Sequence, residues 1–316
     1  MGFAAGAVPS YAWEFVRQGG KAEPMTIWST IAAHITDVTG KGFKPAAPRA
    51  AGGGCINEAV VLADGSRRFF VKTNSAARLA MFEAEAEGLA AIAATASVRV
   101  PQPVCHGAAA ERSYLVLEYL ALDGRGGDEA LGIALAAMHG HTAARFGWHR
   151  DNTIGSTPQP NAWLDDWPAF LRERRLGHLL RLIAARSGPT SLLRQGEKLL
   201  DGLEGFFSGY TPLPSLLHGD LWGGNWATLE AGEPVIFDPA VYHGDREADL
   251  AMTELFGGFS PRFYAAYRDA WPLDAGYAVR KDLYNLYHVL NHYLLFGGGY
   301  ARQAETLMTR LLAGQH

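Results

Sequence analysis

LLHGDLWGGNWATLEAGEPVIFDP, residues 216–239, is the stretch on which the reading of the fold turns. An apolar run ends in His218-Gly219-Asp220, and Asn225 follows Asp220 by five positions. A short hairpin-like piece then leads to a second apolar strand ending in Asp238. Phosphoryl transfer leaves a protein little covalent chemistry to do. It needs a carboxylate to accept the hydroxyl proton and hard oxygen ligands for Mg²⁺. Asp220 has the place of the base, and Asn225 and Asp238 have those of metal ligands. Alone, HGD is equally a turn with a capping aspartate. The two later oxygens, at their offsets, favour phosphoryl transfer, with the Asp-to-Asn spacing of a protein-kinase catalytic loop.

Further toward the N-terminus, Gly52-Gly53-Gly54 opens a hairpin. Residues 56–63 read as a strand, Asp64-Gly65 as its turn and 66–73 as the returning strand. Backbone N–H groups at a glycine turn can approach phosphate closely, which makes Gly53, Gly54, Cys55 and Asn57 candidate nucleotide contacts. Thr39-Gly40-Lys41-Gly42 lacks a Ser or Thr after the lysine, so a P-loop fold is not expected. Only six lysines stand beside 22 arginines, and one of them, Lys72, sits inside the apolar strand Phe69-Phe70-Val71-Lys72. Its functional reading is a point charge on ATP phosphates, held by a helix glutamate. Residues 76–95 read as that helix, with Glu83, Glu85 and Glu87. Residues two apart on a helix point in different directions. Glu85 is favoured because Leu89, one turn on, could anchor the same face.

The 316 residues suggest two domains or lobes. Hydrophobic residues make up 48% and charged residues 19%, an ordinary globular balance that excludes disorder as the main state. A net charge of −4 gives no electrostatic reason for nucleic-acid binding. Two cysteines exclude a disulfide scaffold and a four-cysteine zinc site. With no long apolar run and no basic leader, the expectation is a cytoplasmic protein without a membrane span. Residues 1–24 read as an extension, residues 25–120 as a small strand-rich lobe and residues 121–316 as a larger, mostly helical lobe. The linker is the Gly/Asp cluster 123–128. Helical patterns cover 129–139, 162–185, 190–207, 246–256, 261–270 and 276–295. The expected fold is therefore α+β in two lobes. His139, His141 and His149 lack metal-ligand spacing and read as a helix-end histidine and two surface histidines.

The pieces GGGCIN (52–57), FFVKTN (69–74), FEAEAEGL (82–89), LLHGDLWGGN (216–225) and FDPAVYHGDREADLAMTELFGGF (237–259) together resemble the fructosamine kinase (ketosamine-3-kinase) family. That family is a branch of the protein-kinase-like superfamily near the aminoglycoside and choline phosphotransferases. The resemblance implies a bilobal protein-kinase-like fold, ATP with Mg²⁺, and phosphorylation of the 3-hydroxyl of ketosamines. The unstable product would then fall off, repairing glycation. Carried over by residue, Asp220 is the catalytic base, Asn225 and Asp238 hold magnesium, and Lys72 pairs with Glu85. Backbone groups at Glu118, Tyr119 and Leu120 face adenine. Asp245 and Asp249 either brace the catalytic loop or serve as a helix cap and an early-turn charge. Trp222 would lie against the sugar, and Gln159, Asn161 and Trp163 are candidates to line the acceptor site. Cys55, in the glycine turn, is a candidate redox switch, so the expected state is a monomer or a redox-linked homodimer. An aminoglycoside- or choline-like phosphotransferase on the same fold is the alternative. A metallophosphoesterase would need Asp-x-His and Gly-Asn-His motifs that the chain lacks.

Overall fold

Alternating side chains in Arg112–Glu118 (β5) require a sheet that is covered on both faces. The structure is a computed structural model and describes residues 26–51, 56–124, 126–230 and 232–314, so residues 1–24, Gly53, Gly54 and Cys55 lie outside the described residues. Tyr114 and Val116 pack on one side with Ile31 and Ile35 of the first helix (α1, Ile27–Thr39). Leu115 and Leu117 pack on the other with Phe82, Leu89 and Ile92 of the second (α2, Leu79–Ala94). The side chain of Thr26 accepts from the Ser29 N–H to cap α1, and Gly40, at φ 66°, ends it in a left-handed turn. The expected hairpin is Glu58–Asp64 (β2) and Arg67–Ser75 (β3). With Arg49–Ala50 (β1) and Pro103–Ala109 (β4) it completes an antiparallel sheet in the order β1-β2-β3-β5-β4.

The rest of the chain is mostly helical: α3 (Asp128–His139), α4 (Trp167–Phe170), α5 (Gly177–Ala185), α6 (Thr190–Asp201), α7 (Glu247–Leu255), α8 (Pro261–Ala270), α9 (Tyr277–Phe296) and α10 (Tyr300–Ala313). The pattern expected over 162–185 is interrupted, because Leu171–Leu176 winds as a π-helix between α4 and α5. The helix α10 was not expected. It follows three glycines, and its apolar stripe is only Ala304, Leu307, Met308 and Leu311. Three two-stranded ribbons complete this lobe: Asn152–Ile154 (β6) with Thr157–Gln159 (β7), Ser215–Leu217 (β8) with Tyr242–Gly244 (β11), and Trp226–Thr228 (β9) with Pro234–Ile236 (β10).

The lobes are sewn together. The Asp123 N–H donates to the Thr228 carbonyl (2.8 Å), and the Ile236 N–H donates to the Arg99 carbonyl (3.0 Å). One apolar cluster runs from Phe82, Leu89 and Leu115 through Leu131 and Leu135 of α3 to Leu216 and Ile236, on the strands flanking the catalytic loop. Among the described residues no helix is long and apolar enough to cross a membrane.

Two predictions follow from this core. Leu135→Ala removes a fully buried side chain from the shared cluster and should cost about 2–5 kcal/mol in urea unfolding, with both lobes still melting in one transition. His288, buried on α9, has its imidazole pushed down to about 3 by burial, with His292 adding to the shift. Its folded pKa lies below its unfolded value, so the unfolded chain binds the extra proton. Stability should fall by about 1 kcal/mol per unit as pH drops below about 6.5, and His288→Asn should flatten that slope.

Candidate active site

A lysine inside an apolar strand must be neutralised, and the fold does this from two sides. Lys72, on β3, is 5% exposed. Its ammonium lies 2.6 Å from Oε1 of Glu85 on α2 and 2.5 Å from Oδ1 of Asp238, beyond β10. Burial works against the charge, but Asp238 and Glu85 more than offset it and hold the ammonium protonated. Glu83 and Glu87 point to the opposite face of α2 and meet Arg150 instead.

The loop between β8 and β9 carries Asp220 and Asn225. The Asn225 amide donates to the Asp220 carbonyl (2.8 Å), within 3.4 Å of its carboxylate. The Asn225 N–H in turn donates to the Trp222 carbonyl (2.9 Å). Gly219 sits at φ 81°, and a Cβ there would collide with the Ala240 carbonyl, so only glycine fits. Asp238 takes a left-handed conformation at φ 59°. Strain of this kind is tolerated where the surroundings fix the residue, and here Lys72 does so. Burial, followed by the charges of Asp238 and Asp249, pushes the Asp220 carboxyl well above the usual carboxylate range.

Beneath the loop lies Asp249 of α7, 1% exposed. It accepts from the N–H groups of His218 (2.7 Å) and Gly219 (2.8 Å), and it contacts His139 Nε2 at 3.1 Å. Burial alone would raise its carboxyl. The hydrogen bond and charge of His139, then His218 and the Gly219 N–H, bring it below the usual range. His218 Nε2 lies 2.9 Å from the Phe237 carbonyl, tying the loop that carries Asp220 to the segment between β10 and Asp238. Asp245 does not brace the loop. Its carboxylate accepts from Tyr210 (2.9 Å), Tyr284 (2.5 Å) and the Glu247 N–H (3.1 Å), as a cap for its own helix.

Asp220, Asn225, Asp238, Lys72 and Glu85 are thus brought together. Trp222 stands beside them, 41% exposed, with its indole folded over Gly224 so closely that a Cβ there would clash. Glu118 lies at the end of β5 with its carboxylate held by Arg99 (2.5 Å), and Tyr119 carries Arg68 over its ring at 4.2 Å. Tyr119 and Leu120 are half-buried where the lobes meet. The Asn57 side-chain oxygen accepts from the Asn74 amide (2.8 Å), tying the residue before β2 to β3.

Gln159 and Asn161 are fully buried. Gln159 donates to Asn152 (2.8 Å) and to the Ala240 carbonyl (3.1 Å) and accepts from Tyr287 (2.6 Å). Asn161 donates to Asn152 (2.9 Å) and accepts from Arg175 (2.7 Å). Their amides are engaged with protein partners beneath the loop that carries Asp220. Trp163 is half-buried and lies 5.9 Å from the ring of His243, on a face built with Trp148. The sequence reading missed the supports His139, Asn152 and Tyr287. Only His139 left a trace, as a polar residue on the apolar face of α3.

The donor set of Asp238 and Asn225 is all oxygen, which suits Mg²⁺. Among the described residues no group of three His, Cys, Asp or Glu side chains is preassembled for a metal. Mg²⁺ held by one or two protein oxygens plus substrate phosphates needs none. Asn225 commits its amide N–H to Asp220, which leaves its carbonyl oxygen as the available ligand atom.

These features are those of a protein-kinase-like phosphotransferase. Aminoglycoside phosphotransferase APH(4)-Ia has the same fold, with a TM-score of 0.60 at 14% identity over 91% of this chain and 99% of that one. The model of the fructosamine kinase family matches residues 27–314, and the chain belongs to that family and is a kinase. A protein of Synechocystis sp. named "Probable ketoamine kinase" is 50% identical over 293 residues, covering 90% of this chain and 97% of that one. The chloroplastic protein-ribulosamine 3-kinase of Arabidopsis thaliana is 42% identical over 300 residues, covering 93% and 90%. A crystal structure from Haemophilus somnus 129PT superposes with a TM-score of 0.82 at 29% identity over 90% of this chain and 97% of that one.

Asp249→Asn should leave the two loop N–H groups facing a weaker, neutral acceptor. The expected result is a stability loss of about 3 kcal/mol in urea and, at temperatures where the variant is folded, a kcat lower by about 100-fold.

Proposed function

We propose that this chain phosphorylates the 3-hydroxyl of ketosamines, sugar adducts on amines such as lysine side chains, with Mg-ATP as donor, and so repairs glycation in the cytoplasm. The reading is carried by one observation: Asp220, Asn225, Asp238 and Lys72 converge beside the exposed ring of Trp222, in a member of the fructosamine kinase family. The name of the Arabidopsis relative supports a ribulosamine acceptor.

Each residue then has a task. Lys72, held by Glu85, offers its ammonium to the phosphates. Asn225 and Asp238 would hold Mg²⁺, which supplies charge neutralisation on the transferring phosphoryl group. Asp220 orients the sugar hydroxyl and takes its proton. Burial, and then crowding by Asp238 and Asp249, raise its proton affinity, which suits it to the work of a base. Trp222 offers a flat apolar face to the sugar ring. Backbone groups at Glu118 to Leu120 would hold adenine. Burial pushes the thiol of Cys105 up to about 12, which makes it inert, so a redox-linked homodimer would have to use Cys55.

ADP release from Mg-ATP should be measured with ribulosyl-lysine, fructosyl-lysine, an aminoglycoside and choline. Turnover is expected on the ketosamines, and Asp220→Ala should lose it by about 10³-fold. Turnover on the aminoglycoside or choline alone would keep the ATP site and reject the ketosamine acceptor.

A further inference from the structure

The helix that carries Glu85 is held on three sides, and only one of them belongs to the site described above. On its inner face Glu85 meets Lys72. Along its underside Gly88 lies against the segment after Asp238, where an added Cβ would come 3.0 Å from Val241 and 3.6 Å from Pro239. On its outer face Glu83 and Glu87, one turn apart, both meet Arg150. The distances are 2.7 Å to Glu87 and 3.2 Å to Glu83, and His149 Nε2 adds a contact of 3.0 Å to Glu87.

Arg150 sits on a loop of the helical lobe that is anchored at several points. The Trp148 N–H donates to the Asn161 carbonyl (2.9 Å), and the Trp148 ring stacks on His243 at 5.3 Å. Asn161 donates to the Arg150 carbonyl (3.2 Å), and Asn152 donates to the Val241 carbonyl (2.8 Å). The loop is therefore fixed to the same Asp238–His243 segment that supplies the second carboxylate to Lys72. A rigid fork from one lobe grips both glutamates on the far side of a helix from the other.

We propose that Arg150, assisted by His149, is a positioning residue for the nucleotide. It clamps α2 against the helical lobe, so that Glu85 stays on Lys72 and the ammonium stays where phosphates can reach it. The proposal rests on the ATP part of the function given above and does not depend on which acceptor is used. Exposed ion pairs contribute little to stability, so the clamp should be visible in nucleotide handling rather than in unfolding. A planar guanidinium can bind two carboxylates at once, which an ammonium cannot do in the same geometry.

The test uses the full chain. Michaelis constants for ATP and for ribulosyl-lysine are measured, and binding of a fluorescent ADP analogue is titrated, for wild type, Arg150→Ala, Arg150→Glu, the triple variant Glu83→Arg/Glu87→Arg/Arg150→Glu, and Arg145→Ala. The last removes a nearby surface pair with Asp165 (2.6 Å) and serves as a control. Arg150→Ala should raise the ATP Michaelis constant and the ADP dissociation constant by roughly tenfold, leave the acceptor Michaelis constant within about twofold, and barely move the unfolding midpoint. Arg150→Glu should be worse, and the triple variant, which restores opposite charges, should recover most of the loss. ADP binding equal in wild type and Arg150→Ala overturns the clamp alone. So does a triple variant no better than Arg150→Glu. A wild type that binds no nucleotide overturns the ATP reading and the clamp with it. Nucleotide binding that behaves as expected, with no turnover on ketosamines, upholds the clamp and rejects only the acceptor.

Discussion

An ammonium group cannot be taken out of water without replacing its solvation. At Lys72 the replacement is two carboxylates that arrive from different parts of the chain, Glu85 from a helix of the small lobe and Asp238 from the turn after β10 in the large one. Removing the lysine would leave two carboxylates facing each other with nothing between them, so the three residues must come together when the chain folds. The position of α2 over the sheet, the approach of β10 to the cleft and the left-handed turn at Asp238 all satisfy that one requirement. The chemistry inherits the result, since the same ammonium and the same Asp238 then face the cleft.

A second buried charge does similar work one layer below. Asp249 has no cation of fixed charge beside it. Its partners are two backbone N–H groups and the imidazole of His139, which Tyr267 orients from the other ring nitrogen at 2.7 Å. Hydrogen bonds to an anion are among the stronger ones available to a protein. Here they set the path of the main chain through His218 and Gly219, and so decide where Asp220 points. Asp220 and Asp249 repel each other, and that repulsion adds to the burial that raises the proton affinity of Asp220.

Much of the fold could be read from the chain because its signals are local. The Asp64-Gly65 turn, the two strands it joins and the periodic helices each depend on neighbours in sequence. The choice of Glu85 among three glutamates was legible because helix geometry allows only one face toward the strand. The supports were not legible. Asp245 and Asp249 lie four residues apart at the start of one helix with the same chemistry, and only the three-dimensional arrangement separates the residue under the catalytic loop from the one capped by Tyr210 and Tyr284. Gln159 and Asn161 look like sugar ligands because amides suit sugars, but amides suit buried backbone equally, and nothing local shows which will be spent. The helix α10 has a narrow apolar stripe that three glycines detach from α9.

The apolar cluster that crosses from α2 and β5 to α3 and the strands flanking the catalytic loop has a further consequence for how substrates enter and leave. A cleft that opened by swinging whole lobes apart would expose that layer to water, at about 25 cal/mol for every Å² uncovered. Keeping the two halves in apolar contact avoids that cost, so the layer resists any motion that parts them. At the tip of the β6–β7 ribbon the lobes touch again: a Cβ on Gly155 would come 2.9 Å from Ile56 and 3.0 Å from Leu295.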